Sequence, residues 1–400
     1  MDTQKFKYLY VLLAAVLFFY LSSCSNEPID NENIYIVKQT KLGTQIRSVI
    51  KVLAEFTGVN VTPKYDVNIY KIEYYSKTKN TTTIVASGII CVPITEENKR
   101  GIVSLQHYSL IKNYESPSQN TSKSILTTME AVVTASLGYI ATSNDYIGFG
   151  STANSNIPQP YHIYSYSTDD WLMFMQATNE FIENNSISTS KNLWFSGYSQ
   201  GGYNVTAAMK KWETENHNFF NLQEVYSGSG AYSISGLIDV IFNDNDYQAI
   251  QMSPLFITAY NYYYDLGMKY ENIYKPSYRN IIDDLYDVNG SASSEYISDT
   301  MIPKKLDLFF EETFIDEIKN KNGMFYYKLQ ENNLTNFTPH SKLYMFHSNN
   351  DEYIPVAIAE TAYNYYVSVG GNVELIKSPS EKKHVETFVD FMNFVLNRLK

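Results

Sequence analysis

Cysteine is scarce in this chain of 400 residues, which contains only Cys24 and Cys91. Cys91 lies in the apolar run Gly-Ile-Ile-Cys-Val at residues 88–92. A free thiol in such a run behaves as a small buried hydrophobe. We therefore expect Cys91 to be a core residue and the chain to form no internal disulfide bond.

Positive charge is also in short supply. Lysine and arginine number 31 against 42 aspartates and glutamates, which gives a formal net charge of −11 at pH 7. Nucleic-acid phosphates are bound by clustered lysine and arginine, so this balance argues against a nucleic-acid partner. The histidines lack the spacing of metal ligands. The sequence therefore implies neither a metal ion nor an organic cofactor.

The apolar run at residues 8–21 is too short for a comfortable membrane span. It follows Lys5 and Lys7 and leads into Leu-Ser-Ser-Cys at residues 21–24. This order resembles a bacterial lipoprotein signal, in which cleavage before Cys24 and acylation of that residue leave a lipid-anchored protein. We expect such an anchor at the cell envelope, with the outer membrane favoured and exposure at its surface left open. An ordinary signal peptide or a transmembrane anchor is the alternative.

The rest of the composition is that of a globular protein, with 44% hydrophobic and 18% charged residues. Apolar runs of strand length alternate with segments of helical spacing. The expected strands are residues 68–74, 82–94, 102–105, 139–142, 193–195 and 223–228, and the expected helices are residues 41–58, 124–137 and 169–187. This alternation indicates an α/β fold, a mostly parallel sheet with helices on both faces.

The alternation stops at residue 235 and resumes near residue 338. The intervening tyrosine-, asparagine- and aspartate-rich segment is far longer than a simple strand–helix connection. We expect it to be a helical cap over the carboxyl edge of the sheet, with helices at 254–266 and 306–318. The expected organisation is a signal peptide at 1–23, an acidic tether at 24–39, a core at 40–234 and 338–400, and the cap at 235–337. In the second core part we expect strands at 342–346 and 373–376 and helices at 354–369 and 386–399.

The candidate nucleophile is Ser199, in Gly-Tyr-Ser-Gln-Gly at residues 197–201. An apolar strand precedes this Gly-x-Ser-x-Gly motif and a helix follows it, as in a nucleophile elbow. Glycine on either side removes bulk that would clash at such a strained turn. Ser199 would then lie at the positive end of the following helix.

A serine hydroxyl needs a base, and the base needs a carboxylate that orients it. In this architecture the acid and then the histidine follow the serine along the chain, each after a strand. Asp351 follows the strand ending near residue 346, with Glu352 as the alternative acid. His384 is the sole histidine beyond Asp351, and it follows the next strand. We therefore predict Ser199, Asp351 and His384 as the catalytic residues.

The oxyanion hole requires two backbone N–H donors. Gln200, directly after the nucleophile, is expected to supply one. The other is expected from Tyr108 or Ser109, in the loop after the strand at 102–105. We expect His107, in the same loop, to tie the loop down by hydrogen bonds.

These features together resemble the α/β-hydrolases, and within them the secretory-lipase-like and cell-surface esterase branch. Gln106-His107 resembles the Gln-His-Gly-Thr of that branch, residues 144–151 (Asn-Asp-Tyr-Ile-Gly-Phe-Gly-Ser) resemble its Asp-Tyr-x-Gly-x-Gly-x-Ser, and Pro160-Tyr161 resembles its His-Pro-Tyr. Tyr108 and Ser109 stand where Gly-Thr is usual, and Gln159 where histidine is common. We expect residues 145–148 to form wall and scaffold.

The resemblance and the residues together imply a serine hydrolase that cleaves small-molecule, lipid or glycan esters. A serine peptidase of the same fold is one alternative, because the same three residues cleave amides. A non-catalytic lipoprotein that binds glycans or lipids through the tyrosine-rich insertion is another.

Overall fold

The computed structural model describes residues 34–119 and 124–400. The expected signal peptide, Cys24 and most of the expected tether lie outside these residues. Within the described ranges, no helix has both the length and the apolar character needed to cross a membrane.

The described residues form a nine-stranded sheet whose strand order is β1-β2-β3-β5-β4-β6-β7-β8-β9. The strands are β1 (Ile36–Gln45), β2 (Val67–Lys77), β3 (Thr83–Pro93), β4 (Ile102–Gln106), β5 (Ile140–Asn144), β6 (Asn192–Tyr198), β7 (Asn221–Gly228), β8 (Lys342–His347) and β9 (Val373–Lys377). Strands β1 to β3 pair antiparallel, and β3 joins β5 in the same way. From β5 to β9 all neighbours are parallel, so the carboxyl ends of β4, β6, β7 and β8 meet at one edge.

Helices occupy every long connection between the parallel strands. The first helices of the core are α1 (Arg47–Thr57), which lies between β1 and β2, and α2 (Ile125–Ala135), α3 (Tyr164–Asn184) and α4 (Gln200–Thr214). Between β7 and β8 follow α5 (Ile234–Asn243), α6 (Ser253–Tyr263), α7 (Tyr270–Ile273), α8 (Pro276–Arg279), α9 (Ile282–Tyr286), α10 (Ser294–Tyr296), α11 (Leu306–Phe309), α12 (Glu312–Lys319) and α13 (Gly323–Glu331). The last two are α14 (Val356–Ser368) and α15 (His384–Leu399).

The sheet is buried on both faces. Helices α1, α2 and α15 cover one face, with Leu53, Val132 and Phe391 in a common apolar cluster. Helices α3, α4 and α14 cover the other, where Trp171 and Met209 are buried. A parallel sheet buried on both faces requires near-continuous apolar strands, and β4 and β5 are buried along their whole length.

The insertion between β7 and β8 has an apolar cluster of its own, which includes Ile238, Phe256, Phe310 and Leu329. The same cluster takes in Tyr203, on the first turn of α4. The expected insertion is therefore largely helical, and it packs against the core at the carboxyl edge of the sheet.

Two expectations for the N-terminal part are wrong. The tether was expected to reach residue 39 and a helix to begin at residue 41, but Ile36–Gln45 is the edge strand β1 and α1 begins at Arg47. Strand β1 pairs along β2, and the backbone N–H groups of Tyr35 and Ile36 donate to the Glu180 carboxylate at 2.9 and 2.7 Å. An edge strand has one neighbour in the sheet, so its sequence carries a weak strand pattern.

The expected helix at 306–318 is interrupted. It divides into α11 and α12 at Phe310 and Glu311, both of which have extended backbone angles. Phe310 forms an isolated antiparallel bridge with Tyr274, and the Glu311 carboxylate bonds the Arg279 guanidinium at 2.6 Å. These tertiary contacts outweigh local helix propensity.

Glu130 is a buried carboxyl group on α2, 3% exposed among apolar neighbours. Its Oε1 has no hydrogen-bond partner among the described residues. Burial raises the pKa of Glu130 from its ordinary value of 4.5 to about 8, because desolvation disfavours the charged form.

We predict that Glu130→Gln removes a pH dependence of stability. Between pH 4.5 and about 8 the folded chain keeps a proton on Glu130 that the unfolded chain has released, so the free energy of unfolding falls as pH rises through this window. Thermal unfolding at several pH values should show that the stability of Glu130→Gln rises relative to that of the wild type as the pH approaches 8. The exposed Glu55→Gln on α1 is the control. A difference in stability between variant and wild type that stays constant from pH 4.5 to about 8 would contradict the prediction.

Candidate active site

The backbone of Ser199 turns sharply between β6 and α4. Its angles are φ 58° and ψ −117°, in a region that residues with a Cβ rarely adopt. A Cβ on Gly201 would lie 1.8 Å from the carbonyl oxygen of Gln106, and one on Gly197 would lie 2.3 Å from the oxygen of Gly201. Glycine is therefore required on both sides, as the motif predicts.

The three predicted catalytic residues meet at the end of the sheet. His384 Nε2 lies 2.9 Å from Ser199 Oγ, and His384 Nδ1 lies 2.9 and 2.8 Å from the two carboxylate oxygens of Asp351. Asp351 is buried, which opposes ionisation, but the adjacent His384 imidazole brings the pKa of Asp351 below its ordinary value. The carboxylate is thus arranged to accept a hydrogen bond from Nδ1–H while Nε2 faces the hydroxyl.

The alternative acid, Glu352, has a different contact. Its carboxylate accepts the backbone N–H of His384 at 2.8 Å, and the Tyr198 hydroxyl donates to the backbone carbonyl of His384 at 2.6 Å. His384 was expected in a loop and the last helix from residue 386, but His384 is the first residue of α15. The N–H of a first helical residue has no acceptor within the helix. The Glu352 carboxylate supplies that acceptor for His384.

Sequence reasoning missed His347, at the end of β8. Its ring is fully buried, and Nε2 lies 2.7 Å from the carbonyl oxygen of Ile354 and 3.5 Å from Asp351 Oδ2. Burial lowers the pKa of His347, and the nearby Asp351 carboxylate opposes this shift. The N–H groups of Tyr353 and Ile354 also donate to Asp351 Oδ1, at 3.1 and 2.8 Å. The loop that carries the acid is therefore fastened at several points.

The expected oxyanion residues either follow Ser199 in the chain or line the same cavity. Gln200 is the first residue of α4, where a backbone N–H lacks an acceptor within the helix. Tyr108 and Ser109 line the same cavity as Ser199.

His107 ties down the loop that carries Tyr108, as expected. Its Nδ1 lies 2.8 Å from the Tyr108 carbonyl oxygen, and its ring stacks on Tyr146 at 3.9 Å. The Tyr146 hydroxyl donates to the His107 carbonyl oxygen at 2.8 Å. Burial lowers the pKa of His107 to about 4, so the imidazole is neutral at physiological pH.

A buried polar network lies behind this loop, and the sequence offered no local signal for it. The Gln106 side-chain amide donates to Asn144 Oδ1 at 2.8 Å, and Asn144 donates to Asp170 at 3.1 Å. Burial raises the pKa of Asp170 to about 6. Asp145, expected as scaffold, accepts hydrogen bonds from the Ser87 hydroxyl and the Ser118 N–H.

The model of the secretory lipase family matches residues 115–396, more than two thirds of the chain. The chain belongs to the secretory lipase family. It is thus a hydrolase that acts on esters. No curated protein matches the chain significantly.

Solved structures share the fold. The rice cell wall degrading esterase LipA from Xanthomonas oryzae has 19% sequence identity and a TM-score of 0.81, over 91% of this chain and 99% of that chain. Lipase A from Candida antarctica, in its closed state, has 12% identity and a TM-score of 0.66, over 90% of this chain and 83% of that one. These likenesses establish the α/β-hydrolase fold expected from the sequence.

In this family member, Ser199 and His384 face a cavity of about 260 Å³ with a predominantly apolar lining. The insertion contributes Leu237, Met252 and Phe256 to its wall. At its rim the core contributes Leu126 and Val385, whose side chains are 46% and 67% exposed. The insertion thus forms part of the site.

Within residues 34–119 and 124–400, no group of three or more histidine, cysteine, aspartate or glutamate side chains is arranged to hold a metal ion. Cys91, expected in the core, is a free and buried thiol in β3.

We predict that substitutions of the adjacent carboxylates Asp351 and Glu352 have different effects. Asp351→Asn should lower kcat by about three to four orders of magnitude, because the amide no longer holds His384 in the required tautomer. Glu352→Gln retains an acceptor for the His384 N–H and should lower kcat less than about tenfold. Steady-state kinetics on one chromogenic ester compares them. Equal losses in the two variants would contradict the assignment of Asp351.

Proposed function

We propose that the protein hydrolyses carboxylic esters through an acyl-enzyme on Ser199. The observation that carries this proposal is the unbroken hydrogen-bond chain from Ser199 Oγ through the His384 imidazole to the Asp351 carboxylate. Ser199 Oγ attacks the ester carbonyl while His384 Nε2 takes its proton. His384 returns that proton to the leaving alcohol, and a water activated by the same nitrogen releases the acid.

The carbonyl oxygen becomes negatively charged in the tetrahedral intermediate. The backbone N–H of Gln200 and one from Tyr108 or Ser109 are proposed to stabilise it. Gln200 also begins α4, so the helix adds its positive end at the same point. The buried contacts of His107 support this role, since a preorganised donor costs no rearrangement when charge develops.

The insertion at residues 235–337 is proposed to act as the cap that selects substrates. Its side chains supply much of the apolar wall beside Ser199. A mainly apolar cavity of about 260 Å³ suits a short or medium acyl chain better than a highly polar substituent. Because an amide and an ester present the same carbonyl group to Ser199, the arrangement of the three residues does not itself favour the peptidase alternative.

Hydrolysis of p-nitrophenyl esters from acetate to long acyl chains tests the proposal. Ser199→Ala should lose roughly three or more orders of magnitude in kcat/KM across the series. The surface variant Ser368→Ala should match the wild type. Labelling by a fluorophosphonate should require Ser199 in the same way.

Three outcomes would overturn the proposal. Ester turnover that survives Ser199→Ala would remove the nucleophile assignment. Faster cleavage of matched amides than of esters would favour the peptidase. A wild type that neither turns over esters nor takes the label would favour the binding lipoprotein.

We further propose that the chain is lipid-anchored through Cys24, on the basis of the sequence at residues 5–24. In a bacterial host, the full chain should incorporate labelled palmitate and sediment with membranes. Cys24→Ser should abolish the label, whereas Cys91→Ser should leave it unchanged because that thiol is buried in β3. Undiminished labelling of Cys24→Ser would contradict the anchor.

A further inference from the structure

The imidazole of His384 is in contact with two tyrosine rings from different parts of the chain. The ring of Tyr198, the residue before the nucleophile, lies 5.3 Å away between centroids at an interplanar angle of 42°. The ring of Tyr353, in the loop that carries Asp351, lies 5.1 Å away at 33°. Neither ring belongs to the hydrogen-bond chain that defines the proposed triad.

We propose that Tyr353 is a positioning residue whose ring stabilises the protonated imidazole of His384 during catalysis. This inference rests on the proposed role of His384 as the base. When His384 takes the proton of Ser199, its ring becomes a cation. An aromatic face within about 6 Å attracts such a cation through its quadrupole.

The surroundings make this attraction effective. The side chain of His384 is 6% exposed and that of Asp351 is fully buried, so little water screens the imidazolium. The attraction is absent while the imidazole is neutral and present once it is charged. It therefore favours the transition state over the ground state, which is the condition for accelerating the chemical step.

Tyr353 is held in place from two directions. Its backbone N–H donates to Asp351 Oδ1 at 3.1 Å. Its backbone carbonyl accepts a hydrogen bond from the hydroxyl of Tyr247, a residue of the insertion. Both contacts use the main chain, so a change of the Tyr353 side chain leaves them intact.

Tyr353 is a better test position than Tyr198. The Tyr198 hydroxyl bonds the His384 carbonyl, and its ring also packs on Phe388 and Phe391. A substitution of Tyr198 would therefore move the helix that carries His384. Tyr353 lines the cavity and is partly exposed, so its side chain is replaceable at smaller structural cost.

Other ionisable groups near the imidazole remain in a Tyr353 variant. Asp351 bonds Nδ1, Glu352 bonds the backbone N–H, and Ser199 faces Nε2. His347 lies behind Asp351. From the insertion, Tyr247 contacts the Tyr353 main chain, and Asp299 and Gln251 act on the Tyr353 side chain. A change confined to Tyr353 thus isolates the contribution of its ring.

The test compares Tyr353→Phe, Tyr353→Leu and Tyr353→Met in the full chain. The pH dependence of kcat/KM is measured on a p-nitrophenyl ester, with kcat and KM resolved at each pH. Tyr353→Phe keeps the ring and should stay within about twofold of the wild type. The two aliphatic variants should lose about 3- to 30-fold in kcat with KM nearly unchanged.

The same variants should shift the acid limb of the pH profile. Without the ring, the charged form of the imidazole loses a stabilising contact, whereas the neutral form does not. The limb should therefore move to lower pH, by a few tenths to about one pH unit. A purely structural role for Tyr353 would lower activity without moving the limb. Methionine has a volume close to that of leucine and guards against a folding defect peculiar to one variant.

Either of two results would overturn the inference. One is an acid limb that stays in place in both aliphatic variants. The other is a Tyr353→Phe variant that is as impaired as Tyr353→Leu. Failure of the triad itself is distinguishable, because ester turnover would then survive Ser199→Ala. That result would overturn both proposals, whereas an unmoved acid limb with Ser199-dependent turnover overturns this one alone.

Discussion

The conformation of the Ser199 backbone is the constraint on which the rest of the site depends. A non-glycine residue at φ 58°, ψ −117° costs of the order of 1–3 kcal/mol and persists only if the surroundings hold it. The Ser199 N–H donates to Gly228 at the end of β7 at 2.8 Å, and its carbonyl accepts from Tyr203 in α4 at 3.2 Å. The strain is therefore sustained by the sheet and the helix together.

This constraint determines where partners for the serine can lie. The carbonyl oxygen of Gln106 passes so close to Gly201 that no Cβ fits between them. This close approach brings the loop that follows Gln106, at the end of β4, against Ser199. The buried chain from Gln106 through Asn144 to Asp170 then secures that strand end from behind. Close packing at one glycine thus couples the elbow to the proposed oxyanion loop.

His384 is held through its backbone, whereas Asp351 is held through its carboxylate. The His384 N–H and carbonyl are bonded by Glu352 and Tyr198, and Asp351 receives the N–H groups of its own loop. Backbone restraint leaves the imidazole free to exchange a proton with Ser199 at Nε2 while Nδ1 stays bonded to Asp351. His384 is the first residue of α15, so its N–H has no acceptor within the helix. The Glu352 carboxylate supplies the acceptor from outside the helix.

Local chemistry accounts for what the sequence could predict. The elbow has a distinctive pattern because steric exclusion acts on residues adjacent in the chain, and Asp351 and His384 follow from chain order in a sheet with known connectivity. Strands β4, β5 and β8 were predictable because they are buried over all or nearly all of their length. The edge strand β1 was not, because its sequence is mostly polar and none of its residues between the two ends is buried. Neither was the break at Phe310, which depends on the bridge to Tyr274.

The contacts of His347, Tyr198, Glu352 and Asp170 escaped prediction for a different reason, although Glu352 itself was named as the alternative acid. Each acts on a residue that is distant in sequence or through a main-chain atom that no motif encodes. A histidine at the end of β8 and an aspartate inside α3 have ordinary local contexts. Their significance comes from burial, which removes water as an alternative partner. Such support becomes visible once the tertiary structure has placed it beside the site.

The insertion is connected to catalysis by more than the shape of the cavity. Tyr247, within it, bonds the main chain of Tyr353, and the Tyr353 main chain in turn bonds Asp351. A movement of the insertion at Tyr247 would therefore act on the loop that orients His384. The insertion and the side chain of Asp351 are therefore linked through the main chain of one residue, Tyr353.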